Sequence, residues 1–162
     1  MQIRFAGPED AEVILRFIRE LAEYEREPDA VEATVEALAA QMRAPHPPFE
    51  CLLAERGSET GQEPLGMALF FHTYSTWRAR QGIHLEDLWV TPGARRLGVG
   101  RALLARLAAL TVERGCGRLE WSVLDWNELA LGFYRGVGAA PMDEWTVWRL
   151  DGDALEALAD AD

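Results

Sequence analysis

The sequence predicts a mixed α/β fold that forms one domain over residues 1–162. A chain of this length suits a single domain, because domains commonly span ~100–200 residues. Apolar residues make up 49% of the chain, which is enough for a substantial core. Before a short terminal helix, the predicted elements follow the order β-α-α-β-β-β-α-β-α-β, with antiparallel hairpins early and a β-α-β crossover late. That order favours a mixed sheet flanked by helices over a doubly wound parallel sheet.

Hydrophobic periodicity defines the elements of the first half. Gln2–Ala6 alternates as a short strand. Apolar residues then recur at helical spacing from Val13 to Ala22, after an acidic first turn that suits the helix dipole. Thr34 can cap a second helix, which ends at a proline-rich turn. Three strands follow, separated by polar loops over residues 56–63 and 75–82: Phe49–Glu55, Leu65–Tyr74 and His84–Val90.

The second half opens with a glycine-containing segment, residues 91–101, which lies between a strand and a long apolar helix. Gly115 and Gly117 are expected to end that helix. The remaining predicted elements are a strand Arg118–Leu124, a helix capped by Asn127 that runs to about Val137 and stops at Gly138, a last strand Trp145–Leu150, and a short helix Asp153–Ala159.

The charge of the chain narrows the classes of partner. A formal net charge of −11 argues against nucleic-acid binding and against a polybasic membrane contact, since both need clustered Lys and Arg. An acidic protein attracts cations instead, although the charge can also serve solubility alone. Cys51 and Cys116 do not make a disulfide scaffold, and no Cys/His cluster has metal-ligand spacing. With no signal peptide and no apolar stretch of ~20 residues, we expect a soluble cytoplasmic protein without a metal.

The segment Arg95-Arg96-Leu97-Gly98-Val99-Gly100 is the strongest chemical motif. Two glycines spaced one apart let a backbone approach a ligand closely, and the following helix directs its unpaired N–H groups toward the loop. Arg95, Arg96 and Arg101 add positive charge to a chain that is short of it. The motif therefore predicts a phosphate site, best suited to a pyrophosphate. The alternative is an ordinary tight turn, and the dinucleotide and P-loop fingerprints fit poorly.

Arg95-x-x-Gly98-x-Gly100 resembles the acetyl-CoA pyrophosphate loop of the GNAT N-acetyltransferases, and the resemblance runs through essentially the whole chain. Within that superfamily the chain is most similar to the diamine (spermidine/spermine) and thialysine acetyltransferase group. The segments that carry this similarity are Glu20–Glu25, Leu85–Val90, Trp126–Glu128 and Gly132–Ala139. The resemblance implies a GNAT fold, in which helices flank a mostly antiparallel, twisted sheet of six to seven strands with a V-shaped splay. It also implies acetyl-CoA as cosubstrate.

The resemblance assigns the two catalytic roles. Tyr134 would be the general acid, because the departing CoA thiolate is best protonated as it leaves and a phenol can donate that proton. Glu86 would be the base that deprotonates the substrate ammonium through ordered water. The alternatives are a half-buried helix tyrosine beside Phe133 and an exposed strand carboxylate. Asn127 would contact the pantetheine arm or cap its helix.

Further roles follow from the same resemblance. Backbone groups of Leu88, Trp89 and Val90 would pair with the pantetheine arm like an added strand. The pyrophosphate would be held by Arg95, Arg96, Leu97, Gly98, Val99, Gly100 and Arg101. The amine site would be lined by Tyr24, Glu25, Trp77, Glu86, Asp87, Glu120 and Trp148. The alternatives are a solvated helix end for Tyr24 and Glu25, and a surface packing residue for Trp77. Because Glu86 and Asp87 are neighbours on a strand, they are expected to point to opposite faces.

The loop before Glu86 departs from the polyamine pattern. Ser75 stands near the position where the polyamine enzymes carry an acidic residue, and Arg78 and Arg80 follow. Cations beside an amine site would suit a substrate with both an amine and a carboxylate, such as a lysine or ornithine analogue. We therefore expect acetylation of a small cationic amine by a homodimer. Two alternatives are acetylation of a protein lysine or N-terminus, and a non-catalytic acetyl-CoA-binding module that senses or regulates without turnover.

Overall fold

The computed structural model describes residues 1–58 and 61–161, which form two compact units, Met1–Ser122 and a second that begins at Val123. The strands of the first unit are β1 (Gln2–Phe5), β2 (Glu50–Ser58), β3 (Gly61–Ser75), β4 (Arg80–Val90) and β5 (Leu119–Trp121). Its helices are α1 (Ala11–Glu25), α2 (Val35–Met42) and α3 (Val99–Glu113), with 3₁₀ turns at Pro8–Asp10, Pro28–Ala30 and Pro92–Ala94. The second unit contains α4 (Glu128–Gly136) and α5 (Gly152–Ala159).

The five strands form one sheet in the order β1-β2-β3-β4-β5. The first three pairings are antiparallel, and the pairing of β4 with β5 is parallel. A mixed, mostly antiparallel sheet flanked by helices is therefore confirmed. The β4–β5 pairing covers only residues 83–85 of β4, and β4 continues to Val90 without a strand partner on that side among the described residues. The pairing ends at Leu85, whose partner Trp121 is the last residue of β5.

Each face of the sheet carries its own helices. On one face α1 and α2 pack on strand residues that include Cys51, Leu53, Met67, Leu69 and Trp89. The alternate strand residues, such as Leu52, Ala68 and Phe70, are buried on the other face, because successive strand side chains point to opposite sides. There α3 contacts β2, β3 and β4. The apolar residues of α3 recur at helical spacing and give the helix one buried apolar side: Val99, Leu103, Leu107 and Leu110.

A β-bulge interrupts β4 at Glu86. Leu69 of β3 pairs with Asp87, and the next residue, Phe70, pairs with Leu85, so Glu86 is the extra residue. As a result Leu85 and Asp87 project to opposite faces, and Asp87 joins Trp89 on the side covered by α1. The regular alternation of a strand predicted that Glu86 and Asp87 would point to opposite faces of the sheet. The bulge shows that alternation does not hold through these two residues.

The number of strands is smaller than expected, since the described residues form five rather than six or seven. The predicted last strand, Trp145–Leu150, is wrong: this segment has strand-forming residues, but no strand of the described chain pairs with it, and a ladder needs a partner. β5 is shorter than the predicted Arg118–Leu124 for the same reason, since it pairs only with residues 83–85. The predicted polar loop 56–63 is mostly paired strand, and its Glu59 and Thr60 lie outside the described residues.

Candidate active site

Three carboxylates gather beside the bulge. Glu25 is in the last turn of α1, which ends where Arg26 takes a left-handed backbone conformation. Burial, together with the negative charges of Glu86 and Glu25, raises the pKa of Asp87 to about 6. Burial also raises the pKa of Glu25. A site that holds several partly desolvated carboxylates close together is suited to binding a cation, which would relieve their repulsion.

His84 is a neighbour of Glu86 that the sequence analysis did not single out. Its Nε2 lies 3.6 Å from Glu86 Oε2, and its ring stacks on Phe71 with 5.0 Å between ring centroids. The Glu86 side chain is 55% exposed, so water can reach it. The only signal in the sequence was the i, i+2 spacing of His84 and Glu86, and the bulge at Glu86 could not be anticipated from that spacing.

An aromatic cluster lies next to the carboxylates. The rings of Tyr24 and Trp89 meet edge to face with 6.1 Å between centroids, and Trp89 Nε1 donates a 2.7 Å hydrogen bond to Glu20. Arg95 lies over both rings. Tyr24, Trp89 and Glu20 also border a cavity of about 460 Å³ between the end of α1 and the end of β4. Its volume is in the range of small-molecule sites, and its acidic and aromatic lining suits a cation.

The residues predicted to pair with pantetheine lie on the open edge of β4, which we define as residues 86–90 on the side away from β3. Their other edge is paired, with Leu88 opposite Ala68 and Trp89 opposite Met67. Backbone groups on the open edge have no strand partner among the described residues, so an extended ligand can pair there as an added strand. Val90 is the exception, because its carbonyl accepts a hydrogen bond from Arg95 Nε at 3.2 Å.

The glycine loop ends where α3 begins. Gly98, the N-cap, has φ +82, which favours glycine, and an added Cβ there would meet only open space. Arg96 also has a left-handed conformation, with φ +64. Arg96, Leu97, Gly98 and Arg101 are exposed, and the first N–H groups of α3 have no carbonyl of a preceding turn to bond. This exposed helix start with nearby arginines fits a pyrophosphate.

The loop between β3 and β4, which was predicted to border the amine site, lies away from the carboxylates. Trp77 is in the turn between β3 and β4 and is 89% exposed. Arg78 donates to the carbonyl of Gly117 at 3.3 Å, and Arg80 packs against the same glycine. Arg80 is six residues from Glu86 along β4, a separation of roughly 20 Å. Within one chain, therefore, these arginines do not lie beside the carboxylates, which corrects the expectation drawn from the loop sequence.

Glu120 is on β5, opposite His84 in the parallel pairing. Its Oε2 pairs with Arg118 Nε at 2.9 Å, and its Oε1 accepts a 3.4 Å hydrogen bond from Thr73. It therefore faces the same side of the sheet as His84 but already has a cationic partner.

The second unit holds the remaining predicted residues. Asn127 caps α4, since its Oδ1 accepts from the backbone N–H of Ala130 at 3.2 Å. Tyr134 lies two turns further along α4, half-buried, with its ring 5.3 Å from that of Phe133. Trp148 is 90% exposed in the segment that follows α4.

Two further features of the described residues concern ligands and membranes. No three His, Cys, Asp or Glu side chains of this part of the chain come together as a candidate metal site. Among the same residues, no helix combines the length and apolarity that crossing a bilayer demands.

An open strand edge, a glycine loop at a helix start and a cluster of carboxylates are together chemically suited to acyl transfer from a thioester to an amine. The chain belongs to the Acetyltransferase (GNAT) family, which it matches over residues 14–139. It is thus an N-acetyltransferase by family, and this family transfers acetyl groups from acetyl-CoA.

Two named relatives and one solved structure are similar to the chain. The chain is 39% identical to the thialysine N-epsilon-acetyltransferase of Bos taurus, over 98% of this chain and 97% of that protein. It is 44% identical to an L-ornithine N5-acetyltransferase of Arabidopsis thaliana, over 57% of this chain and 41% of that protein. Among solved structures, an integron cassette protein from V. cholerae matches with a TM-score of 0.79 at 24% identity, over 99% and 98% of the two chains, which supports the fold.

Proposed function

We propose that the protein transfers the acetyl group of acetyl-CoA to a primary amine of a small cationic substrate, either a diamine or polyamine or an amino acid like lysine, ornithine or thialysine. The observation that carries the proposal is the group of three carboxylates, Glu25, Glu86 and Asp87, beside the open edge of β4. An ammonium bound there lies next to the edge along which a thioester arm can extend. The family match over residues 14–139 supports one acetyltransferase domain for the whole chain, and we propose that it acts in the cytoplasm.

Donor binding uses backbone groups more than side chains. The open edge at Leu88, Trp89 and Val90 would pair with the pantetheine arm, and Asn127 would contact the same arm. The pyrophosphate would accept hydrogen bonds from the loop that runs from Arg96 through Leu97, Gly98, Val99 and Gly100. Arg96 and Arg101 would add positive charge beside it. When bound, acetyl-CoA supplies an activated acetyl thioester.

The chemistry then requires two proton transfers. A substrate ammonium, with a pKa of about 10.4, must lose a proton before its nitrogen can attack the thioester carbon. Glu86 accepts that proton through water, which its exposure allows, and His84 lies close enough to share in holding the carboxylate. As the carbon–sulfur bond breaks, Tyr134 gives its phenolic proton to the departing sulfur. The products are the N-acetylated amine and CoA with a free thiol.

Substrate recognition falls to the remaining acidic and aromatic groups. Asp87 and Glu25 would bind the ammonium, and Tyr24 would cover it. Glu120, Trp77 and Trp148 would contact more distant parts of the substrate. Since Arg78 and Arg80 lie against Gly117, a substrate carboxylate would have to find another cation within the same chain.

We also propose a homodimer. Trp145, Val147 and Trp148 are 67%, 85% and 90% exposed and lie within four residues of one another in the chain. A second copy of the chain would cover these side chains, and large exposed apolar side chains close together are typical of an interface. Sedimentation velocity should show a dimer, and Val147→Lys should shift the population toward monomer. A wild-type monomer at micromolar concentration would contradict this part of the proposal.

The acceptor is tested by an acetylation screen with spermidine, putrescine, ornithine, lysine and thialysine, scored as release of CoA thiol. Preference for the amino acids would favour a substrate with a carboxylate, and preference for the diamines would favour a purely cationic one. Acetylation of a lysine-containing peptide but of none of the five small amines would replace the proposal with protein acetylation. Tight acetyl-CoA binding without turnover of any acceptor would support the regulatory module instead.

Asp87→Asn should have opposite effects on function and on stability. The variant loses a charge partner of the substrate ammonium, so the KM for the amine should rise by roughly 10–100-fold at pH 8, with a smaller change in kcat. In the wild-type protein, the KM for the amine should rise as the pH falls below about 6, because Asp87 becomes protonated there. This dependence should be smaller in the variant, which keeps only Glu25 as a partly buried carboxylate partner of the ammonium.

The stability effect follows from the raised pKa of Asp87. The folded protein disfavours the charged form of Asp87, and this lowers the free energy of unfolding. The cost is absent below pH ~4, where the carboxyl is protonated in both the folded and the unfolded protein. That cost grows between pH ~4 and ~6, and is constant above. Asp87→Asn should therefore raise the free energy of unfolding by about 1–3 kcal/mol at pH 7.5 and change it little at pH ~4. Urea denaturation measures the free energy of unfolding at each pH. Asp29→Asn is the control, because Asp29 is an exposed carboxylate. A destabilised variant at pH 7.5 would contradict the desolvation argument.

A further inference from the structure

Arg95 is the first arginine of the glycine loop, yet protein groups already surround its guanidinium. Its Nε donates to the carbonyl of Val90, and its Cζ lies 4.9 Å from the ring centroid of Trp89 and 5.2 Å from that of Tyr24. Both ring distances are within the range of cation–π contacts. The side chain is half-buried, whereas Arg96 and Arg101 are exposed. The position of its head group therefore differs from that of an arginine open to a phosphate.

The contacts of Arg95 join segments that are far apart in the chain. Trp89 is itself oriented by its 2.7 Å hydrogen bond to Glu20, and it packs edge to face on Tyr24. Arg95 thus connects the last turns of α1 with the last residues of β4 at the start of the glycine loop. We call Glu20, Tyr24, Trp89 and Arg95 the aromatic clamp. One end of the clamp belongs to the proposed amine site, and the other end fixes Val90 on the open edge.

We infer that Arg95 is a positioning residue for the amine, acting through Tyr24, and that it does not bind the pyrophosphate through its side chain. The cation holds Tyr24 against Trp89, and its Nε–H holds the end of the edge along which the donor extends. Phosphate recognition is left to the loop backbone, Arg96 and Arg101. This inference rests on the proposed function, because its main consequence is read in amine binding.

Two donors separate positioning from phosphate binding. S-acetylpantetheine carries the same thioester arm as acetyl-CoA but no phosphate. Arg95→Met keeps an unbranched apolar side chain and removes the charge, and it should raise the KM for the amine about tenfold with either donor. Arg101→Met is the matched control, since it removes an exposed arginine from the first turn of α3. Arg101→Met should raise the KM for acetyl-CoA several-fold. It should leave the KM for S-acetylpantetheine and the KM for the amine unchanged.

A binding measurement without turnover gives an independent readout. Calorimetric titration with acetyl-CoA at about 50 mM and about 500 mM NaCl reports the screened, charge-dependent part of binding. Arg95→Met should show the wild-type salt dependence, whereas Arg101→Met should show a smaller one. The two variants change net charge equally, so a difference between them reflects the position of the lost cation.

A double-mutant cycle tests whether Arg95 acts through Tyr24. Tyr24→Leu alone should raise the amine KM, and adding Arg95→Met should raise it little further, because the ring that the cation holds is already gone. Adding Arg101→Met to Tyr24→Leu should give no change in amine KM. If Arg95→Met does not fold, the same measurements are made with Arg95→Lys, which keeps a cation but lacks the Nε–H directed at Val90 and should give the smaller part of the effect.

Several results would overturn the inference. One is a loss of acetyl-CoA affinity and salt dependence in Arg95→Met with an unchanged amine KM, which is the behaviour of a phosphate ligand. Independent, multiplicative effects of Arg95→Met and Tyr24→Leu on the amine KM are another. An Arg95→Met variant equal to wild type in every readout would also reject it. If the wild-type protein acetylates no amine, the proposed function fails instead, and the salt dependence still decides the phosphate question.

Discussion

Tyr134→Phe is expected to lower kcat by about 10²–10³-fold while leaving the Kd for acetyl-CoA unchanged. The substitution removes one oxygen and retains the ring that packs beside Phe133, so α4 should keep its structure. What is lost is the proton that neutralises sulfur as the carbon–sulfur bond breaks, and general acid catalysis commonly contributes 10²–10⁴-fold. Because the proton matters only as the bond breaks, the loss should appear in kcat and in kcat/KM alike.

The measurement is steady-state release of CoA thiol together with calorimetric titration of acetyl-CoA. Tyr74→Phe is a matched control, since Tyr74 is an exposed tyrosine on β3 and should behave as wild type. An unchanged kcat in Tyr134→Phe would exclude this phenol as the acid. A large rise in the Kd for acetyl-CoA would instead indicate that the hydroxyl serves donor binding.

Glu86→Gln is the second change with a large expected effect, a fall in kcat of about 10²-fold at neutral pH. The base is needed because the substrate is almost entirely an ammonium at that pH. The defect should therefore shrink as the pH rises, by about tenfold in rate per pH unit, until the amine is deprotonated in solution. A pH–rate profile of kcat for wild type and variant shows this directly.

Two companion variants sharpen the interpretation of Glu86→Gln. His84→Asn removes the ring nitrogen 3.6 Å from the Glu86 carboxylate and should lower kcat by only about 3–10-fold, since the base itself is retained. Glu12→Gln, an exposed carboxylate on α1, should have no effect. A Glu86→Gln variant whose deficit is the same at every pH would mean that Glu86 does not act as the base.

Local patterns were enough to predict the elements that carry the site. The spacing of apolar residues in α1, the cap at Thr34 and the cap at Asn127 are all confirmed, and each depends on residues a few positions apart. Gly98 takes the left-handed conformation that a tight strand-to-helix turn favours. These features are determined by short-range sterics and hydrogen bonding, and such interactions can be inferred from one sequence.

Features that depend on distant partners could not be predicted. The bulge at Glu86 exists only relative to β3, and it decides that Asp87 projects toward α1. The aromatic clamp joins residues 20, 24, 89 and 95, whose proximity follows from how α1 lies on the sheet. The last expected strand failed for a related reason, since the strand-forming residues from Trp145 to Leu150 have no paired neighbour in the described chain.

The central claim is that this carboxylate site delivers an amine to acetyl-CoA. Its most direct measurement is a mass-spectrometric assay with acetyl-CoA and ornithine, thialysine or spermidine, in which CoA thiol and N-acetylated product are quantified together. We predict equal amounts of the two products, formed only when an amine is present, and a loss of both in Glu86→Gln at neutral pH. Thiol release without an acetylated amine, or equal product formation by wild type and Glu86→Gln, would contradict it.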